Sequence, residues 1–423
     1  MRVAWQQLHN GLLPHLFRQE YAKMTAVLCR HFGLNDIEIA EDIASDTFLK
    51  ASEHWAINGL PENPTAWLYS VAKNKANDYF RRNAVFETNV KSHFKLGQSE
   101  QAEIVEFDEQ IISDSQLAMI FAVCNPINTS ESQICLALQI LCGFSIEEVA
   151  GAFLAKPDAI KKRLQRARAN LRNDSFQLSP LSETGIASRL GVVLKTLYLL
   201  FNEGYFSKTN NNLIRKDLCS EATRLTLLLT ENPATDTPET NALLALMCFQ
   251  SSRLDARTNN QGEYILFDDQ DRSLWDKSLI DRGTYYLVKA TEVEETSKYH
   301  LEAAIAYWHT TSEEESKWKH VLQLYNQLIL VEYSPVTALN RTFALAKVQG
   351  CEKAIAEAER LHLENSNYYH ELLGFLYSKI DIDKAILHFT QAIWLTRSNT
   401  EKQTFIKEIA RLGKKKAAAS GNP

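Results

Sequence analysis

SIEEVAGAFLAKPDAIKKRLQRARANLR, residues 145–172, holds two short helices and the turn between them. Ser145 and Glu148 make an S-x-x-E capping box that starts the first helix. Ile146, Val149, Ala150 and Phe153 then share one face. Pro157 suits the first turn of the second helix, where its missing N–H is not needed. There Ile160, Leu164, Ala167 and Leu171 form a single apolar stripe, and Lys161, Lys162, Gln165, Arg166 and Arg168 cover the remaining surface. Two short helices in which the second carries long cationic side chains read as a helix-turn-helix for the DNA major groove. An ordinary helical hairpin with a basic outer face is the alternative.

Outward from this block, charge alternates along the chain. Residues 36–54 hold six acidic groups and one Lys, residues 66–83 four basic groups and one Asp, residues 99–115 six acidic groups and no basic one, and residues 156–172 seven basic groups and one Asp. Solvated helix faces explain any one such block; the order of all four argues for more. In EIAEDIASDTFLKASEHW (38–55), Ala40, Ile43, Ala44, Thr47, Phe48, Ala51 and Trp55 make one apolar face. Asp42 and Asp46, four apart, repel each other by a few tenths of a kcal/mol and so suit a basic partner. A turn-rich loop from Asn58 to Pro64 leads to AWLYSVAKNKANDYFRRN (66–83), where aromatic residues alternate with Lys and Arg. Single-stranded DNA binding needs that mixture, since bases stack on rings while cations follow phosphates. Taken singly, Trp67 and Tyr79 fit a core better than a stacking platform.

The chain has 423 residues, a length for two or three domains. With 45% hydrophobic and 23% charged residues it reads as globular, and a net charge of −6 excludes a uniformly basic nucleic-acid coater. Seven Cys without a CxxC pair, mostly among apolar neighbours, read as reduced core thiols. No uninterrupted apolar run reaches ~18 residues, so no membrane span is expected. The first residues lack the apolar stretch and cleavage site of a signal peptide. The end, KKKAAASGNP, reads as a frayed tail. Scarce Gly and Pro with long 3.6-residue periodicity predict an all-α protein; Tyr264–Phe267 is the best candidate for a strand.

EDIASDTFLKASEHW, the loop, and AWLYSVAKNKANDYFRRN together resemble region 2 of a bacterial sigma factor, and SIEEVAGAFLAKPDAIKKRLQRARANLR resembles region 4. With only those two regions, the front resembles the extracytoplasmic-function (ECF) class. SDSQLAMIFAVCNP (113–126), YLLFNEGY (198–205), LCSEATRL (218–225), LLALM (243–247), DDQDRSLWD (268–276), HLEAAIAYWH (300–309) and PVTALNR (335–341) resemble an ECF group with a C-terminal tetratricopeptide-like extension. The resemblance implies a region 2 helical bundle (10–84), an acidic linker (85–115), a region 4 helix-turn-helix (116–175), a helical tetratricopeptide-like extension (181–412) and a tail (413–423). It implies that Asp42, Asp46, Phe48 and Leu49 dock on the β′ clamp helices of RNA polymerase, and that region 4 meets the β flap. Asn58, Asn63, Trp67, Lys73, Asn74, Asn77, Arg81 and Arg82 would open and read the −10 element. Lys161, Lys162, Gln165 and Arg166 would enter the −35 major groove, with Arg163 and Arg168 nearer to phosphates. Asn125 stands where the group's pattern has His, and Cys124 lacks a second Cys beside it. That argues against a metal or redox site there, and no cofactor is expected.

Within the linker, Glu100, Glu103, Glu106, Asp108, Glu109 and Asp114 would mimic nucleic-acid charge inside polymerase, or the segment is a plain tether. In the rear half, NRTFALAKVQGCEKAIAEAERL (340–361) aligns with ELLGFLYSKIDIDKAILHFTQAI (371–393), pairing Ala354 with Ala385 and Gly350 with Asp381. Stacked helical pairs suit a peptide or protein regulator. Glu203, Asp269, Asp271, Arg272, Trp275, His300 and His309 form a polar set without nucleophile–base or metal spacing, better read as ion pairs and caps than as an active site. The expected protein is therefore cytoplasmic and non-catalytic, a promoter-specificity subunit whose extension is required for activity. A one-component helix-turn-helix regulator with a helical sensor is the alternative; it has no need of the region 2-like block.

Overall fold

The computed structural model describes residues 12–33, 36–91, 105–153, 155–173, 182–205, 214–258, 265, 269–291, 296–311, 316–396 and 398–420. It is all-α, with no strand among the described residues. Of the expected strand only Ile265 is described; its N–H donates to the Arg257 carbonyl at 2.8 Å. The chain divides into two units, residues 1–199 and 200–423.

The front unit opens with α1 (Leu13–Phe32), α2 (Ile37–Asn58) and α3 (Pro64–Lys91). Glycine stops the first two. Gly33 and Gly59 both have φ of +81°, and their N–H groups donate back to Cys29 and Trp55. Asn63 starts α3 by accepting the Ala66 N–H at 3.0 Å. All seven apolar-face positions expected for α2 are buried.

Next come α4 (Glu109–Val123) and α5 (Ser130–Leu136), which passes into a single π turn, Ala137–Leu141. Gly143, at φ +69°, ends that turn. Then follow α6 (Ile146–Ala152) and α7 (Pro157–Asn173). The capping box forms in both directions: Glu148 N–H donates to Ser145 Oγ at 3.1 Å, and Ser145 N–H to Glu148 Oε2 at 2.8 Å. Ile160, Leu164, Ala167 and Leu171 are the buried stripe of α7. Helix α8 (Glu183–Tyr205) belongs to this unit through Leu199.

The expected linker is partly helical. Its first residues extend α3 to Lys91, and Asp108 caps α4 by accepting the Ile111 N–H at 2.7 Å. Glu109 and Asp114 thus lie on a helix, whereas Glu100 and Glu103 fall outside the described residues.

In the rear unit α9 (Lys216–Thr230), α10 (Pro238–Ser251), α11 (Lys277–Ala290), α12 (Lys298–Thr311) and α13 (Lys317–Val331) precede α14 (Pro335–Gln349) and α15 (Cys351–Glu359). They are followed by α16 (Asn367–Tyr377), α17 (Ile382–Leu395) and α18 (Asn399–Ser420). The aligned repeats coincide with the paired helices α14/α15 and α16/α17, which share one core. Gly350 and Asp381, matched in sequence, are the N-caps of α15 and α17, and Ala354 and Ala385 are both fully buried. At Gly374 the approach of α16 to α17 is so close that a Cβ would lie 2.8 Å from the Phe389 ring. The expected tail is helical instead, because α18 continues to Ser420.

Helix α8 is long and apolar enough, by length and composition, to cross a membrane, although Arg189 and Lys195 interrupt its apolar run. Much of its apolar face is packed in the protein, Val193, Leu194 and Leu197 completely.

Candidate nucleic-acid interface

Helix α7 is amphipathic in the strict sense that its four apolar residues are buried and Lys161, Lys162, Gln165 and Arg166 are exposed together opposite them. The other two expected DNA contacts are engaged elsewhere. Arg163 pairs with Glu131 of α5 at 2.9 Å, and Arg168 turns back onto α2. The two guanidinium nitrogens of Arg168 donate to the Glu41 carboxylate at 2.8 and 2.7 Å, and one donates also to Gln139 Oε1 at 2.8 Å. Burial by itself lowers the pKa of Arg168, but the hydrogen bond and charge of Glu41, with Glu38 nearby, hold it above its ordinary value. Arg172 pairs with Glu38 in the same cluster. Arg168, 11% exposed, thus holds α7 to α2 and does not share the exposed face of Lys161, Lys162, Gln165 and Arg166.

On α2, Asp42, Asp46 and Leu49 are exposed, the last at 58%. Phe48 departs from expectation. It is 5% exposed and packs edge-on against Phe17 at 5.0 Å between ring centroids, beneath the exposed face of α2. Asp46 pairs with Lys75 of α3, at 3.2 Å.

The loop and α3 carry the remaining expected residues. Asn58 donates to the His54 carbonyl at 3.2 Å and Asn63 caps α3, so both shape the loop. Trp67 is half-buried against His54 and Trp55, each with ring centroids at 5.3 Å. Tyr79 and Phe80 pack on Phe32, as a core does. Asn74, Arg81 and Arg82 are exposed, Lys73 and Asn77 partly so, and Arg81 lies 3.6 Å from Asp78.

Region-joining polar contacts extend into α8. Asn170 donates to Asn128 Oδ1 at 3.0 Å, Asn128 to the Ala167 carbonyl at 3.1 Å, Gln133 to the Asn128 carbonyl at 2.8 Å, and Thr196 of α8 to Gln133 Oε1 at 2.7 Å. Arg189 of α8 adds a 2.6 Å bond to the Phe121 carbonyl.

A model named Sigma-70 region 2 matches residues 16–85, the span that carries α1 to α3. RNA polymerase sigma factor CnrH of Cupriavidus metallidurans is 28% identical over 152 residues, 34% of this chain and 78% of that protein. RNA polymerase sigma factor YlaC of Bacillus subtilis is 24% identical over 172 residues, 39% of this chain and 93% of that protein. The front of the chain therefore carries a sigma factor's region 2.

The chain continues beyond those two relatives. A family of unknown function, DUF6596, matches residues 189–291. The uncharacterized protein R00370 of Rhizobium meliloti is 34% identical over 384 residues, 88% of this chain and 89% of its own length, so front and extension occur together there as well. No solved structure matches the chain.

The polar set of the extension serves packing and capping. Asp271 accepts the Ser273 N–H at 2.9 Å, Arg272 lies over Trp275 at 5.2 Å, and His300 bridges Ser297 and the Ala290 carbonyl. Burial pushes the His309 imidazole down to about 3, keeping it neutral. Described residues contain no cluster of metal-ligating groups, and all seven cysteines are free. Burial pushes the Cys124 thiol up to about 12, and the Asn125 side chain accepts the Ile127 N–H at 3.0 Å in the turn where the family pattern has His. Among residues not singled out from sequence, Glu38, Glu41, Gln139 and Arg172 matter most. The acidic spacing 38, 42, 46 was visible on a helical wheel, but not its partner on α7.

Proposed function

We propose that this protein is an ECF-type sigma factor that brings core RNA polymerase to promoters and opens them, catalysing nothing itself. The carrying observation is α7: four exposed DNA-compatible side chains, Lys161, Lys162, Gln165 and Arg166, back onto a buried stripe in the second helix of a capped helix-turn-helix. In this reading they enter the −35 major groove, where Arg and Gln read base edges bidentately and Lys neutralises phosphates. The loop at Asn58 to Asn63, with Asn74, Asn77, Lys73, Arg81, Arg82 and the half-exposed Trp67, handles the −10 strand. Asp42, Asp46 and Leu49 dock on the β′ clamp helices, region 4 meets the β flap, and the work is done in the cytoplasm. The tetratricopeptide-like extension is required for activity and takes a protein or peptide regulator.

The test is in vitro transcription from a cognate promoter with core polymerase, comparing wild type with Lys161→Ala/Arg166→Ala. Promoter-directed RNA from wild type and its loss in the variant are expected. Promoter binding by the wild type without core polymerase, and no transcription with it, would instead identify a one-component regulator.

A further inference from the structure

In the rear unit successive helices run in alternating directions, and polar contacts bring their ends to common edges. The His300 ring bonds the Ala290 carbonyl at 3.1 Å, which sets the start of α12 beside the end of α11. Lys298, in the first turn of α12, pairs with Glu332, just past α13, at 2.9 Å. Arg341 near the start of α14 reaches Glu357 near the end of α15 at 3.6 Å. Asn367 at the start of α16 donates to Glu401 at the start of α18 at 3.2 Å. One edge of the array therefore gathers the ends of α11, α13, α15 and α17 with the starts of α12, α14, α16 and α18.

That edge is apolar. Leu330 is 87% exposed and Trp394 81%, and Val288, Val331, Tyr333 and Val336 are exposed with them. Among the described residues the opposite edge exposes only Leu274 and Ile380 as large apolar side chains. An aromatic side chain brings ~150–250 Å2 to a contact, so two aromatic and four aliphatic residues offer on the order of 800 Å2. That is about what one partner contributes to a standard protein interface, and more than a monomer ordinarily leaves open.

Cations along the edge are already paired within the chain, Lys289 with Asp236, Lys298 with Glu332 and Arg360 with Glu357. Nucleic acid or a charged peptide gains little from such a row, whereas an identical row meets it without like-charge repulsion. We propose that this edge of the extension is a two-fold interface with a second copy of the chain, in which the turn from Leu330 to Val336 and the Trp394 ring are buried. The interface does not depend on the promoter reading, since all of its residues belong to the rear unit.

Sedimentation velocity of the full chain, over a concentration series into the high micromolar range, tests this. The wild type should rise to twice the mass of one chain. Leu330→Glu and Trp394→Glu should each raise the dimer dissociation constant by about a hundredfold, because a two-fold interface receives every substitution twice. Ile380→Glu, exposed at the opposite edge, should leave it unchanged. All three positions are exposed, so melting temperatures should match wild type; if one edge variant misfolds, the other decides. A wild type that stays monomeric throughout the series overturns the proposal. So does a dimer that survives both edge substitutions, or one that Ile380→Glu weakens equally. A monomeric wild type whose binding to core polymerase falls with Leu330→Glu gives the edge to polymerase and overturns the second copy.

Discussion

Arg168 and Glu41 meet through two N–H···O bonds of 2.8 and 2.7 Å across 127 residues of chain. The pair joins α7, the second basic helix, to α2, the acidic one. Both side chains are largely out of solvent, so removing one strands the other.

Arg168→Ala should therefore destabilise the front unit by about 2–3 kcal/mol, somewhat less than the ~3–5 kcal/mol of a fully buried pair because both side chains keep some exposure. Arg166→Ala, exposed on the same helix, should change stability by less than ~0.5 kcal/mol. Denaturant unfolding of the two variants checks the contrast. Equal effects would show that the pair contributes nothing beyond a surface contact.

DNA contacts should separate by type. Arg166→Ala should cost about 1–3 kcal/mol of promoter discrimination at one position, as loss of a base-edge contact does. Lys162→Ala should weaken all sequences alike and lower the salt slope of binding by about 1. Holoenzyme binding to matched and mismatched promoters over a salt series distinguishes them.

Two glycines should respond with opposite signs. At Gly374 a Cβ would lie 2.8 Å from the Phe389 ring, so Gly374→Ala should cost about 1–3 kcal/mol. Gly413, in α18, has nothing within 4 Å, and Gly413→Ala should gain up to ~1 kcal/mol of helix propensity. Thermal melts of both variants test this.

Glu371 carries a pH dependence. Burial first, and then the charge of Glu401, push its carboxyl from 4.5 up to about 7. The folded state thus binds a proton that the unfolded chain releases, and this contribution, full below 4.5, is lost as pH rises through about 7. Glu371→Gln should accordingly gain on wild type, on the order of 1 kcal/mol, between acidic and mildly alkaline buffer. A constant difference across pH would refute the assignment.

Truncation should be sensitive to α8. Thr196 and Arg189 bond Gln133 and the Phe121 carbonyl of the front unit. A chain ending near 180 loses both bonds and should be poorly folded, whereas one ending at Tyr205 should keep a cooperative front unit. Proteolysis of the two truncations reports the difference. The role of the extension is accordingly best read from the longer one.

Much of the site was legible without coordinates. The buried stripe of α7, its exposed cations, the reciprocal Ser145–Glu148 cap and the seven-residue apolar face of α2 all stand where periodicity and capping rules put them. Phe48 illustrates the limit. Periodicity put it on the apolar face while the resemblance to region 2 made it a docking candidate, and only its packing against Phe17 shows that it lies beneath the surface. The C-terminal lysines looked like a tail because their composition is simple, yet α18 runs through them, with Lys416 on Asp383 of α17 at 2.5 Å.

Helix type, helix faces and the two basic blocks follow from interactions over three or four residues, and those the sequence by itself determined. Which cations stay exposed is a different question. Lys161, Lys162 and Arg166 stay exposed while Arg163, Arg168 and Arg172 are taken by Glu131, Glu41 and Glu38. Only the tertiary structure decided that. An ion pair between residues more than a hundred positions apart forms when folding carries both helices to the same place, and local pattern holds no information about that distance.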